Sequence, residues 1–168
     1  MSETESEESG PITMVHQHVK LDYKVHAGHE QSKFLKQIAQ RRIVGQRSAE
    51  GLVYVPPIGV CPTTGEKMEG HVEVSDKGTI TTFCIVNLPF EGQQIDPPYA
   101  LSAILLDGAD LPIFHLIGDV DVRDVHMGMR VQAKWRPEEE AVRSMENIIY
   151  FVPSGEPDAD YDSYKEHL

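Results

Sequence analysis

The chain has 168 residues, 40% of them hydrophobic, and a formal net charge of -12. That is apolar material for one ordinary domain with its own core, and no apolar run approaches the roughly 18 residues of a membrane span. The acidic balance disfavours a nucleic-acid partner, because phosphate binding rests on Lys and Arg displacing counterions.

In chain order, residues 1–11 read as a disordered acidic tail. Glu3, Glu5, Glu7 and Glu8 crowd into it with little apolar surface to bury. The start MSETESEESGP has no leader pattern, and the cysteines are only two, Cys61 and Cys84. A reducing, cytoplasmic setting with free thiols is therefore the expectation. Residues 12–42 hold a partly alternating extended segment, ITMVHQHVKLDYKV, and then a helical period in AGHEQSKFLKQIAQRRI. Phe34, Leu35 and Ile38 share one side of that helix and Lys33, Lys36, Gln37 and Gln40 the other.

Residues 43–68 are punctuated by Gly and Pro and read as a compact irregular ribbon. Residues 69–153 read as all-β. MEGHVEVSD and GTITTFCIVN flank the turn SDKG as a hairpin, PYALSAILLD and LPIFHLIG pair around GAD, and GMRVQAKWRP and NIIYFVP follow. Between them DVRDVHMGM is a helical turn or loop, and EEEAVRSME an acidic loop. Short strands at this spacing favour closure, so the fold class is mainly β, with a five- to six-stranded OB-type barrel. Residues 154–168 carry Glu156, Asp158, Asp160, Asp162 and Glu166 against Lys165 and read as a second acidic tail, disordered or loosely draped.

The ribbon contains VYVPPIGVCPTTGEKM, half of a metal knuckle. A structural zinc needs four soft or borderline ligands, usually from two Cys-x-x-Cys pairs. Counting from Gly51 and Gly65, the four ligand positions are Arg47, Glu50, Cys61 and Thr64, and one thiol remains. No metal is expected. An Arg47–Glu50 or Arg47–Glu66 ion pair, or packing of Val53, Val55 and Ile58 on the barrel, would then replace the metal clip.

A helix, a ribbon ending YVPP…CP…G, a barrel opening VSDKGTITTFCIVNLPF and the later GMRVQAKW and IIYFVP follow in that order from Tyr23 to Pro153. The set resembles the rubredoxin-like zinc-ribbon plus OB-fold family that accompanies thiolase-like, lipid-transfer-protein-type acyl-CoA enzymes, with the zinc ligands mostly lost. The resemblance implies a non-catalytic accessory subunit beside a thiolase-like large subunit. It would help form the acyl-CoA entrance, in a heterotetramer of two large and two small chains. The partner implied is an aldolase performing retro-aldol cleavage in steroid side-chain degradation. A thiolase or acyltransferase partner is the alternative.

The residues themselves offer no nucleophile elbow, P-loop or dinucleotide fingerprint, so no catalytic residue is assigned. His16 and His18 share a strand face without a third ligand, His26 and His29 flank Gly28, His115 reads as a strand residue with a satisfied ring, and Cys84 as a small strand residue. Candidates for CoA or interface contact are the cations Lys33, Lys36, Arg41 and Arg42 with Phe34, and the irregular apolar groups Tyr54, Pro56, Pro57 and Phe90. An OB-fold nucleic-acid binder is a poor competitor, with a single Trp and no basic stripe. A free-standing enzyme or small-molecule binder is the third reading.

Overall fold

The computed structural model describes residues 20–68 and 70–168. One helix, α1 (Gly28–Ile38), precedes eight strands, β1 (Ile43–Arg47), β2 (Val53–Tyr54), β3 (His71–Val74), β4 (Lys77–Val86), β5 (Tyr99–Leu106), β6 (Ile113–Ile117), β7 (Arg130–Trp135) and β8 (Ile148–Pro153). The expected extended pair His16 and His18 and the first acidic tail lie outside the described residues.

The last five strands close a barrel in the order β4-β5-β6-β8-β7, with β4 returning to β7, which is the OB arrangement expected from the sequence. Closure works because β4 serves two neighbours. Its first residues pair with β7 (Lys77↔Gln132, Thr79↔Arg130), and from Gly78↔Leu106 to Val86↔Tyr99 it pairs with β5. A register shift between Ile80 and Thr82 bends it from one neighbour to the other. Only Ile117↔Phe151 joins β6 to β8, in parallel. The interior is filled by Ile80, Ile104, Val131, Ile148 and Phe151, each at most 1% exposed.

The expected hairpin at SDKG is not formed. β3 pairs with β1 in a separate three-stranded sheet of order β2-β1-β3, and Ser75–Asp76 carries the chain from that sheet into the barrel. Register decides the outcome: Ile43↔Val74 through Gln46↔His71 lets β3 complete the ribbon sheet, while β4 is taken by β5 and β7. Gly45 in β1 makes this small sheet tight, since a Cβ there would lie 2.7 Å from Val53 Cγ1 and 2.9 Å from the Tyr54 carbonyl oxygen.

The helix, the small sheet and the barrel share one core. Phe34 and Ile38 from α1, Ile43, Val53, Val55 and Val74 from the ribbon, and the barrel residues form a single buried cluster. The α1 period read from the sequence thus points its apolar side correctly. The helix ends in a left-handed residue that is not glycine: Arg41 has φ 57°, and the Arg42 N–H reaches back to the Gln37 carbonyl. The residue earns the strained position by donating Nη2 to the Arg136 carbonyl at 2.8 Å, which ties the helix end to the barrel. Asn147, 1% exposed, donates to the Ile38 carbonyl at 2.8 Å from the other side.

The second acidic segment is folded, contrary to the expectation from composition. Glu156 pairs with Lys77 and with Arg130, whose guanidinium also grips Asp107 in two bonds of 2.7 and 2.6 Å. Asp158 accepts from His126 at 2.9 Å, the Ala159 N–H bonds the Gly128 carbonyl, and Tyr164 is 6% exposed. Net charge missed this because the body supplies the matching cations and a seat for one aromatic anchor. The Asp124 carbonyl and the Asp158 carboxylate raise the His126 imidazole above its ordinary 6.5. A group raised on folding stabilises fully below its ordinary value, and that contribution is lost as pH rises through the raised one. Hydrogen-exchange protection factors of residues 156–168, with the base-catalysed intrinsic rate divided out, should therefore be larger at pH 5.5 than at pH 8.5, and His126→Ala should abolish that difference.

Candidate functional site

The helix α1 lies over β1 and β3 and leaves a groove of about 540 Å³, lined by Lys33, Phe34, Lys36, Gln37, Arg42, Val44, His71 and Glu73. Four sequence candidates, Lys33, Phe34, Lys36 and Arg42, are brought together here. Helical spacing places Lys33, Lys36 and Gln37 on one side of α1. Arg42 follows the helix end, and β3 presents His71 and Glu73 at alternate positions.

Two carboxylates partly neutralise the groove. Glu30 accepts from His71 Nε2 at 2.8 Å and lies 3.6 Å from Lys33 Nζ. Burial raises the Glu30 carboxyl, but the His71 bond and the charges of Lys33, His71 and His29 outweigh it and hold the group below its usual range. Arg42 clasps Glu73 through Nε at 3.1 Å and through Nη2, an arrangement that lowers the Glu73 carboxyl and raises Arg42. Lys36 makes no ion pair with any described residue. Gln37 Oε1 is buried and has no hydrogen-bond partner among them. The groove thus offers an apolar wall at Phe34 and Val44, ammonium groups at its rim and one unanswered acceptor. That set suits a ligand with an anionic end, an N–H donor and an apolar part.

The knuckle below is held without a metal set. Arg47 donates Nη1 to the Gly51 carbonyl at 2.7 Å and makes no ion pair with Glu50 or Glu66, so that expected clip is absent. Thr64 Oγ1 accepts from the Glu66 N–H at 3.3 Å. Cys61 is buried at 2% exposure, its Sγ 3.2 Å from Thr63 Oγ1. The Thr63 hydroxyl first, then the Thr64 hydroxyl and backbone, lower the Cys61 thiol to about 7. A guanidinium and a hydroxyl cannot complete a thiolate site, and no group of three His, Cys, Asp or Glu gathers among the described residues. These residues do not fit a zinc ion.

Gln46 provides the clip instead. At 2% exposure in β1, it donates Nε2 to the Met68 carbonyl at 2.8 Å and accepts the Gly59 N–H at 2.9 Å. One amide thereby ties both ends of the Gly59–Met68 loop to the sheet. Gly65, at φ 73°, closes the inner turn, whose N–H bonds the Cys61 carbonyl at 2.9 Å. Tyr54, Cys61 and Met68 pack as a small cluster beneath it. Val53 and Val55 join the main core as expected, whereas Ile58 is 48% exposed and does not.

The remaining candidates scatter. Arg41 faces the barrel through Arg136, away from the groove. Tyr54 and Pro57 are buried, Pro56 borders a second, apolar groove beside Phe114, and Phe90 stands 63% exposed in the β4–β5 loop. His29 lies 3.8 Å from Glu30, and His115 takes the Leu116 N–H on Nδ1 at 3.0 Å with its ring edge-on to Phe151. Burial lowers the His115 imidazole against the raising effect of that bond. Cys84 is exposed and Cys61 buried, both free. Sequence reasoning missed Glu30, Gln37, Gln46 and His71 as parts of the site and its support. For Gln46 the only signal is a polar residue inside a five-residue strand that is otherwise apolar at its start.

Replacing Gln46 by Leu should orphan the Met68 carbonyl and the Gly59 N–H at a cost of about 1–3 kcal/mol per buried group. The urea midpoint should fall accordingly, and neither zinc nor a chelator should move it in the wild type or the variant.

Residues 71–136 match the family model described as ChsH2, C-terminal OB-fold domain. Two curated relatives are DUF35 domain-containing scaffold proteins. The one from Pyrococcus furiosus is 28% identical over 91 residues, covering 54% of this chain and 66% of that protein. The one from Methanocaldococcus jannaschii is 33% identical over 88 residues, covering 51% and 61%. The matched part therefore spans less than two thirds of each relative. Among solved structures, a chain of the Ltp2-ChsH2(DUF35) aldolase superposes with TM-score 0.59 at 21% identity, covering 78% of this chain and 99% of that one. A DUF35-family protein of unknown function from Sulfolobus solfataricus gives TM-score 0.50 at 19% identity, covering 60% and 74%. At these identities the two structures speak for the fold alone. The barrel is an OB-fold, its residues 71–136 are similar to the ChsH2 C-terminal OB-fold domain, and the matches agree with the resemblance read from the sequence to the OB-fold family that accompanies thiolase-like enzymes.

Proposed function

We propose that this chain is the accessory subunit of a thiolase-like aldolase acting on acyl-CoA, with no catalytic residue of its own. The observation that carries the reading is the match of residues 71–136 to the ChsH2 OB-fold domain. The superposing chain belongs to an assembly called an aldolase, which favours a carbon–carbon lyase over a thiolase or acyltransferase partner. In the retro-aldol cleavage proposed, a base on the large subunit takes the β-hydroxyl proton, the Cα–Cβ bond breaks, and the departing acyl-CoA leaves as an enolate that is reprotonated. Steroid side-chain degradation is the pathway we assign to it, and two large with two small subunits the assembly.

The α1 groove is the part of the acyl-CoA entrance that this chain contributes. Lys33 and Lys36 meet phosphate oxygens, Phe34 covers an apolar segment, and Gln37 Oε1 accepts from an amide N–H of the pantetheine arm. Exposed ammonium groups act here mainly as steering and rim contacts. A second reading, a scaffold joining two enzymes, is favoured by the names of the curated relatives.

Purification of the tagged chain with a thiolase-like protein from its source tests the main reading. Copurification as a stable complex that cleaves a β-hydroxyacyl-CoA, with neither chain active alone, is the expected result. Lys33→Ala with Lys36→Ala should raise KM for the acyl-CoA about tenfold and leave kcat nearly unchanged. Turnover by this chain alone, or retention on single-stranded DNA in place of the thiolase-like protein, would overturn it.

A further inference from the structure

Residues 20–27 precede α1 outside both sheets and form no regular element. Leu21, Tyr23 and Val25 alternate along this segment and are 78%, 73% and 75% exposed. The intervening residues are polar, Lys20, Asp22, Lys24 and His26, and Lys20 and Asp22 pair with each other at 3.1 Å. The segment therefore alternates three large exposed apolar groups with polar ones. All three stand largely clear of the described residues, and contiguous exposed apolar groups of this size mark contact surfaces.

The apolar face continues into the body. Val25 and His26 border a groove of about 600 Å³ with Phe34, Leu35, Phe114 and Met145, and Phe114 is 72% exposed. Charge selects the occupant. Residues 20–42 carry Lys20, Lys24, Lys33, Lys36, Arg41 and Arg42 against Asp22 and Glu30, a local excess of cations in a chain of net charge -12. The complementary surface is apolar and rimmed with carboxylates. Beside this chain's own apolar strip at Phe114, Arg136 pairs with Glu140 at 3.7 Å, so a second copy offers a rim of mixed charge there. Glu156 and Asp158 are already paired with Lys77, Arg130 and His126.

We propose that residues 20–27 form an arm that lays Leu21, Tyr23 and Val25 into an apolar cleft with an acidic rim on the large subunit, the groove beside Phe114 extending the contact. This rests on the reading above, that the chain has a thiolase-like large subunit. Arm docking brings α1, and with it Lys33 and Lys36, against that subunit.

The test compares the full-length wild type with the double variant Leu21→Asp, Tyr23→Asp and a control at another exposed apolar residue, Leu168→Ala, each produced together with the thiolase-like protein identified in the copurified complex. Because Leu21 and Tyr23 are exposed among the described residues, the double variant should melt with the wild type. It should bind the large subunit at least tenfold more weakly, while Leu168→Ala and the conservative pair Leu21→Val, Tyr23→Phe bind normally. Wild-type affinity in the double variant overturns the arm and leaves the subunit reading standing. Failure of the wild type itself to bind a thiolase-like protein overturns that reading and the arm with it. A wild-type homodimer that the double variant dissociates also overturns the proposal, since the occupant would then be a second copy.

Discussion

The end of α1 is fixed to the barrel at one buried point, and the placement of everything on the ribbon side follows from it. Ile38 is fully buried among barrel and ribbon residues, and its carbonyl accepts both the Arg41 N–H at the helix end and the Asn147 amide from the barrel side. The same Asn147 accepts the Val142 N–H at 3.0 Å on its Oδ1, and its carbonyl takes the Arg136 N–H. Asn147 thus joins the helix and the acidic loop through its side chain, and the end of β7 through its backbone carbonyl. A buried amide is costly if left unpaired and specific when paired, so the helix has one seat and one orientation. The walls of the cationic groove are α1 and the β1–β3 sheet, and their spacing is set from this junction.

Charge in this protein is organised more by partner than by amount. Most acidic groups of the C-terminal segment that reach the body meet a cation there: Glu156 with Lys77 and Arg130, Asp158 with His126. Asp119, Lys134 and Tyr150 make a similar closed triangle at the other side of the barrel, with bonds of 2.7 to 2.9 Å. Such exposed pairs add little stability one by one, but they decide where a segment lies. What remains without an ion pair among the described residues is Lys36 on α1 and Lys24 before it, beside the paired Lys33 and Arg42, in a chain of net charge -12. A localised patch of this kind orients an anionic partner during approach more than it tightens the final complex.

The apolar periods of the sequence carry the helix and the strands β5 to β8 faithfully, because Phe34 with Ile38 and the alternating strand residues report burial directly. SDKG misled because the same turn residues serve a hairpin and a crossover between sheets. What separates the two is the partner each strand finds, here β1 for β3, and no local pattern records that. The C-terminal segment misled for a related reason, since the composition of residues 154–168 is silent about Lys77, 79 positions away from Glu156. Within the candidate site, the cations of α1 were visible as a cluster on one helix face. The neutral and paired groups, Gln37, Gln46 and the Glu30–His71 bond, were not, because their roles exist only once the β3 strand lies beside the helix.

Gln46 changes what kind of object the ribbon is. A knuckle clipped by zinc has a stability that depends on the free concentration of the ion, on pH through its ligands' protons and on the redox state of its thiols. A knuckle clipped by an amide has none of those dependences. Its two hydrogen bonds form from atoms of the same chain, so the loop closes as the sheet closes and opens only with it. The ribbon then belongs to the same cooperative unit as the barrel and α1, and whatever α1 presents to a partner is held equally well in metal-poor and in oxidising conditions.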